Sequence, residues 1–225
     1  MRLKVGTELR ARALLFDMDG TLVDSKAAIE RVWKRAAARW NADFEALRRH
    51  MHGRRATDIM RDVLPPHALA QLDEEVAVVD EAEVTDTEGV VPIPGAAALL
   101  KALPPTSWAL VTSARPALAR ARMGAAGLPL PDTLITSEAV SHGKPHPECF
   151  RLGAERLGVA PEETLALEDA PAGLTAARAA GCQVIALATT LNSQDLAAVD
   201  WIPDLSVLQF EGRDAQGWMY FRIAG

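Results

Sequence analysis

The sequence predicts an α/β protein in which a parallel sheet carries helices on both faces and is interrupted near its start by an all-helical insertion. Three observations predict it. From Pro92 onward, short apolar runs alternate with Ala-rich stretches of helical texture, as strands do when crossover helices return the chain to one sheet. Another apolar run, Ala13 to Phe16, lies far upstream of that series. Between the two, apolar residues recur at helical rather than strand spacing.

The first strand is expected over residues 12–17, in the same sheet as the later ones. Ile29, Val32, Trp33, Ala36 and Trp40 then mark one face of a helix over 25–40. The helical pattern continues to about Glu83, with breaks at "HGRR" (52–55) and "LPPH" (64–67). The stretch 73–88 holds eight acids and no bases; without a tight-turn pattern of oxygen ligands it reads as an exposed helix and hinge, not a metal site. The insertion therefore covers residues 25–87, and the sheet domain takes 1–24 and 88–225. Later strands are expected in "WALVTS" (108–113), "DTLITS" (132–137), "TLALED" (164–169) and "QVIALAT" (183–189), and a terminal hairpin over 207–223.

With 225 residues and 49% hydrophobic content, the chain is long enough to bury a substantial core. A formal charge of −6 offers no sequence-wide basic field, which argues against nucleic acid or an anionic membrane as the main partner, so an anionic ligand has to be held locally. The start, "MRLKVGTELRARALLF", has too short an apolar run for a signal peptide, and no stretch approaches a membrane span, so a cytoplasmic location is expected. Cys149 and Cys182 lack CxxC spacing and read as reduced thiols packed as small hydrophobes.

The chemistry gathers where strands end. "FDMDGT" (16–21) places Asp17 and Asp19 on one side of a strand's carboxyl end. An Asp-Gly turn explains Asp19 and Gly20 but leaves Asp17 unexplained, because two close like charges raise each other's pKa unless a cation sits between them. A hard divalent cation such as magnesium is the natural partner. "TLALED" ends on a second acidic pair, Glu168 and Asp169. "WALVTS" ends on Thr112 and Ser113, which suit an anion at the head of a helix, although Ser113 taken alone reads more readily as an N-cap before Pro116. "SHGKPHPE" holds Lys144 in a Gly- and Pro-containing loop, where a lone lysine is ordinarily a solvated one.

Taken together, DxDGT at 17–21, Thr112-Ser113, Lys144 and Glu168-Asp169, in this order along nearly the whole chain, resemble the haloacid dehalogenase superfamily of phosphatases. "GKPHPE" and "LEDAPAGLTAARAAGC" are similar to its branch that removes phosphate from small sugars and polyols. The resemblance implies a Rossmann-like core with the insertion as a cap domain. It also implies Asp17 as nucleophile and Asp19 as general acid and base, with Thr112, the Ser113 backbone and Lys144 holding the phosphate oxygens. A Mg2+ cofactor would be held by Asp17, the backbone carbonyl of Asp19 and the Asp169 carboxylate, with Glu168 behind them or on a bound water. Gly20 would let the backbone pass close to the phosphate, with Thr21 shaping the loop. In the cap, the 52–55 break matches a pocket-lining loop of relatives, which makes Arg54 and Arg55 candidates for substrate hydroxyls; nine Lys or Arg between 31 and 61 make a solvated basic face an equal alternative. Ile29 and Trp33 read as cap packing, with Trp33 near the pocket wall. The expected activity is hydrolysis of a small sugar or polyol phosphate through an aspartyl-phosphate; the alternatives are a sugar phosphomutase of the same fold, a phosphatase restricted to glycerol phosphate, a haloacid dehalogenase and a non-catalytic descendant.

Overall fold

The computed structural model describes residues 1–48, 51, 53–191 and 193–225, with the side chains of 67 and 193 left undescribed. In chain order the elements are β1 (Glu8–Ala11), β2 (Ala13–Phe16), β3 (Val23–Asp24), α1 (Lys26–Trp40), α2 (Phe44–Arg48), α3 (Ala56–Val63), α4 (Pro66–Leu69), α5 (Leu72–Thr85), β4 (Val91–Pro92), α6 (Ala96–Ala102), β5 (Trp108–Val111), α7 (Pro116–Ala125), β6 (Thr133–Ile135), α8 (Glu148–Arg156), β7 (Thr164–Glu168), α9 (Pro171–Ala180), β8 (Gln183–Leu187), α10 (Ser193–Ala197), β9 (Trp201–Ile202), β10 (Leu208–Arg213) and β11 (Met219–Ile223).

The main sheet is parallel and runs β6-β5-β2-β7-β8-β9. All four residues of β2 are buried, as an interior parallel strand with both faces covered requires. Its side chains divide between the faces. Leu14 and Phe16 join Leu110, Leu165 and Leu167 beneath α6 and α7, while Leu15 joins Ala109, Val111 and Ala166 beneath α8 and α9. From β2 the chain runs outward through β5 to β6, then returns on the other side of β2 as β7. The carboxyl ends of β2, β5 and β7 therefore flank a topological switch point, where open α/β sheets form their binding crevice.

Helices α1 to α5 bury a separate apolar cluster, drawn from Val32 to Val79 and including Trp33, Trp40, Ile59 and Met60. The two chain crossings that join this bundle to the sheet lie side by side as the β3–β4 ribbon, with Val23 opposite Pro92 and Asp24 opposite Val91. The terminal hairpin forms as β10 and β11. The sequence pattern missed β1, which adds to β11 to make a three-stranded antiparallel sheet. β1 has weak alternation and partners more than 200 residues away (Glu8 opposite Arg222), so no local signal marks it. The reading of 73–88 as an exposed helix needs correction, because Val76, Val79 and Glu83 share one face of α5 and all three are buried. Among the described residues, no helix is long and apolar enough to cross a membrane.

Candidate active site

Asp17 follows β2 directly, and its amide donates to Leu167 O of the neighbouring strand, so the sheet fixes the start of the loop. Lys144 reaches the same point from the loop ahead of α8. Its ammonium donates to Asp17 Oδ1 at 2.5 Å, Glu168 Oε1 at 2.6 Å and Val111 O at 3.1 Å. These are all the protons an ammonium has, and the lysine is 2% exposed, the opposite of a solvated side chain. Each donor already serves the protein, so Lys144 acts here by fixing Asp17 and Glu168 and by balancing charge. Burial tends to lower its pKa, but the two carboxylates outweigh burial and hold it above its usual value.

Glu168 is fully committed within the protein. Beyond Lys144, its Oε2 accepts from the amides of Asp169 (2.9 Å) and Ala170 (3.0 Å), just ahead of α9. Gly173 in the first turn of α9 makes room for it, since a Cβ there would lie 1.6 Å from Oε1. Asp169 has weaker support: the Thr21 hydroxyl donates to its Oδ1 at 3.4 Å, and Thr190 contributes a further hydrogen bond. Burial, and then the Glu168 and Asp17 charges, push its carboxyl well above the ordinary range. Burial likewise raises Asp17 to about 7, against the pull of Lys144 and with Glu168 adding to the rise.

Ligand oxygens of Asp17, Glu168 and Asp169 lie within 4.8 Å of one another. Three buried carboxylates face one ammonium, so with all three ionised two negative charges are left uncompensated, which is why burial and mutual repulsion raise Asp17 and Asp169. An all-oxygen donor set with that deficit fits a hard divalent cation. Gly20 also serves this cluster: it has φ +82°, and a Cβ there would fall 2.0 Å from Asp169 Oδ2.

The Asp19 side chain is engaged by other partners. Its Oδ1 accepts from the Ser25 hydroxyl at 2.6 Å, and its Oδ2 is paired with Arg122 Nη1 at 2.8 Å. Its carboxylate is thus held outside the group formed by Asp17, Glu168 and Asp169, yet stays near enough for its charge to help raise the Asp17 carboxyl. Thr112 Oγ1 accepts from the Ala114 amide at 3.1 Å, which leaves its own proton for the cavity. The N-cap alternative for Ser113 does not hold: α7 is preceded by Arg115, and the Ser113 hydroxyl donates instead to Gly53 O in the helical bundle at 2.9 Å.

Asp17, Asp19, Thr112, Ser113 and Asp169 line a cavity of about 330 Å³ between sheet and bundle, which also takes in Ile29, Trp33, Arg54 and Arg55. Arg54 pairs with Asp62 at 2.7 Å. Arg55 pairs with Asp58 at 2.7 Å and donates to Ser141 O at 3.3 Å, tying the bundle to the Lys144 loop. His52, the first residue of that break, lies outside the described residues. Sequence reasoning missed Arg122 and Glu83, which also line the cavity and pair at 3.0 Å. Both were marked by spacing: Glu83 lies seven after Val76 and Arg122 four after Leu118, on the buried faces of their helices. Cys149 and Cys182 are free thiols, the first buried and the second half-buried, with burial pushing the Cys149 thiol up to about 11.

Comparison with known proteins gives concordant results. A family model described as "Hydrolase: haloacid dehalogenase-like hydrolase" matches residues 11–181. The chain is 41% identical over 196 residues to Hexitol phosphatase A of Escherichia coli (strain K12), covering 86% of this chain and 91% of that protein. It is 34% identical over 197 residues to Glycerol-1-phosphate phosphohydrolase 1 of Saccharomyces cerevisiae, covering 82% and 77% respectively. Among solved structures, β-phosphoglucomutase of Clostridium difficile superposes with a TM-score of 0.72 at 19% identity, over 88% of this chain and 93% of that one, a likeness of fold.

Proposed function

The chain belongs to the haloacid dehalogenase-like hydrolases, and from that membership we propose that it is a phosphoric monoester hydrolase of small sugar or polyol phosphates, with an aspartyl-phosphate intermediate. The observation that carries the reading is Asp17, seated at the switch point with its Oδ1 held by Lys144 and the cavity in front of it. The names of the two relatives support the substrate class.

Asp17 attacks phosphorus, forming a bond from its carboxylate oxygen as the bond from phosphorus to the sugar oxygen breaks. Asp19 gives its proton to that leaving oxygen. A water then attacks the aspartyl-phosphate, passes a proton to Asp19, and releases inorganic phosphate with Asp17 restored. Thr112 donates its hydroxyl proton to an equatorial phosphate oxygen, as phosphoryl transfer rests on positioning and charge stabilisation. Asp17, the Asp19 carbonyl and Asp169 would hold Mg2+, with Glu168 behind them; when bound, the cation screens the charge between an anionic nucleophile and an anionic phosphate. Residues 25–87 act as a cap that excludes water, with Arg54 and Arg55 at its substrate-facing loop.

The test is phosphate release across a panel of hexitol, hexose, 2-deoxysugar and glycerol phosphates, with Mg2+ supplied and then chelated. Turnover of at least one ester that stops on chelation is expected. An isomerised sugar phosphate without free phosphate would identify a mutase instead, and indifference to the chelator would sink the metal assignment.

A further inference from the structure

Arg122 occupies an unusual position: it is 3% exposed, yet it belongs to α7 in the sheet domain and bridges two carboxylates from different parts of the molecule. Its Nη1 holds Asp19 Oδ2 at 2.8 Å, and its Nη2 holds Glu83 Oε1 at 3.0 Å. Glu83 lies near the end of α5 and is fixed in turn by Trp33 Nε1 at 3.2 Å, from α1. The third guanidinium nitrogen, Nε, is buried and has no hydrogen-bond partner among the described residues. The other Asp19 oxygen is held by Ser25, immediately before α1. Both chain crossings into the helical bundle thus end on the Asp19 carboxylate, one directly and one through Arg122.

We propose that Arg122 and Glu83 are a positioning couple that aims Asp19 at the leaving-group oxygen only while the helical cap sits on the sheet domain. The inference rests on the phosphatase reading above. A general acid works only within hydrogen-bond reach of its target, and a carboxylate on a loop has free side-chain torsions until something fixes its plane. Arginine's rigid fork fixes two partners at a set angle, which a lysine does not. When the cap lifts, Glu83 departs, and the guanidinium loses its desolvated partner and its fixed orientation. Asp19 then loses one of its two anchors. Proton donation is thereby confined to the closed, water-poor state.

The leaving group distinguishes this role from simple packing, because kcat/KM reports the steps up to its departure. A sugar alkoxide leaves only with a proton from Asp19, whereas the p-nitrophenolate of p-nitrophenyl phosphate leaves without one. Arg122→Met is expected to lower kcat/KM at least about 100-fold for the best sugar or polyol phosphate of the panel, and less than about fivefold for p-nitrophenyl phosphate. Glu83→Gln, which keeps an acceptor for Trp33, is expected to show the same selectivity at about tenfold, and the double variant to be no worse than Arg122→Met. Arg122→Lys should retain the selective defect. Parallel losses on both esters, or no loss, would overturn the inference; if Arg122→Met melts below the assay temperature, Glu83→Gln alone decides by the same ratio. A parent enzyme that releases phosphate from no ester would overturn the phosphatase reading itself, and this inference with it.

Discussion

Asp17 is dear to hold: buried and raised to about 7, it is kept in place by the ammonium of Lys144. Asp17→Asn removes the charge that attacks phosphorus but keeps an oxygen for Lys144. It should therefore abolish phosphate release while leaving the far-ultraviolet circular dichroism of the parent; persisting turnover would end the covalent route. Lys144→Met has the opposite balance. It strands buried carboxylates without their cation, which costs about 3–5 kcal/mol when one member of a buried pair is deleted. Urea midpoints should show that loss, and saturating Mg2+ should recover part of it. At this scale much of the site was legible, because Asp17, Thr112, Lys144 and Asp169 each stand at a strand end or in a loop beside one. Arg122 and Glu83 were hidden inside charged helical stretches, where a buried charge looks like its solvated neighbours until its partner across the fold is known.

Two elements carry constraints that no single residue shows. The first turn of α9 has to be bare at Gly173 for Glu168 to reach Lys144, since a Cβ would meet its carboxylate at 1.6 Å. Gly173→Ala should lower kcat more than tenfold, with a melting temperature a few degrees below the parent, about what 1 kcal/mol produces; unchanged kinetics would show that the strand end accommodates the methyl. The second is the clamp of α1 on the end of α5, where Arg31 and Arg35 hold Asp86 at 2.6 and 2.9 Å. Hydrogen bonds from Arg31 first, then Arg35, depress the Asp86 carboxyl to about 2 from an ordinary 3.8. A depressed acid contributes stability that is present above its unfolded value and lost progressively as pH falls from about 5 to about 1, through its folded value. The difference in urea midpoint between parent and Asp86→Asn should therefore be present at about pH 5 and gone at about pH 1. A difference that survives at the lower pH would assign the clamp's effect to something other than charge.

For the whole molecule, three carboxylates against one ammonium leave the site electrostatically unfinished. A cation that binds the fold and not the unfolded chain stabilises it by mass action, about 2.7 kcal/mol at a hundredfold excess over Kd. Thermal melts should therefore rise with Mg2+ and fall back with a chelator, whichever ester is the substrate; a melt blind to Mg2+ would contradict the proposed site. The sequence by itself determined the parallel α/β class, the helical insertion and the strand-end acids, because periodicity and turn chemistry are local and the chain repeats them wherever a strand meets its loop. Only the tertiary structure decided that Asp19 pairs with Arg122, that Lys144 is buried with every proton engaged, and that β1 closes onto β11. Each of these includes a partner 100 residues or more away in sequence, and which distant groups meet is settled by packing and charge pairing across the assembled fold.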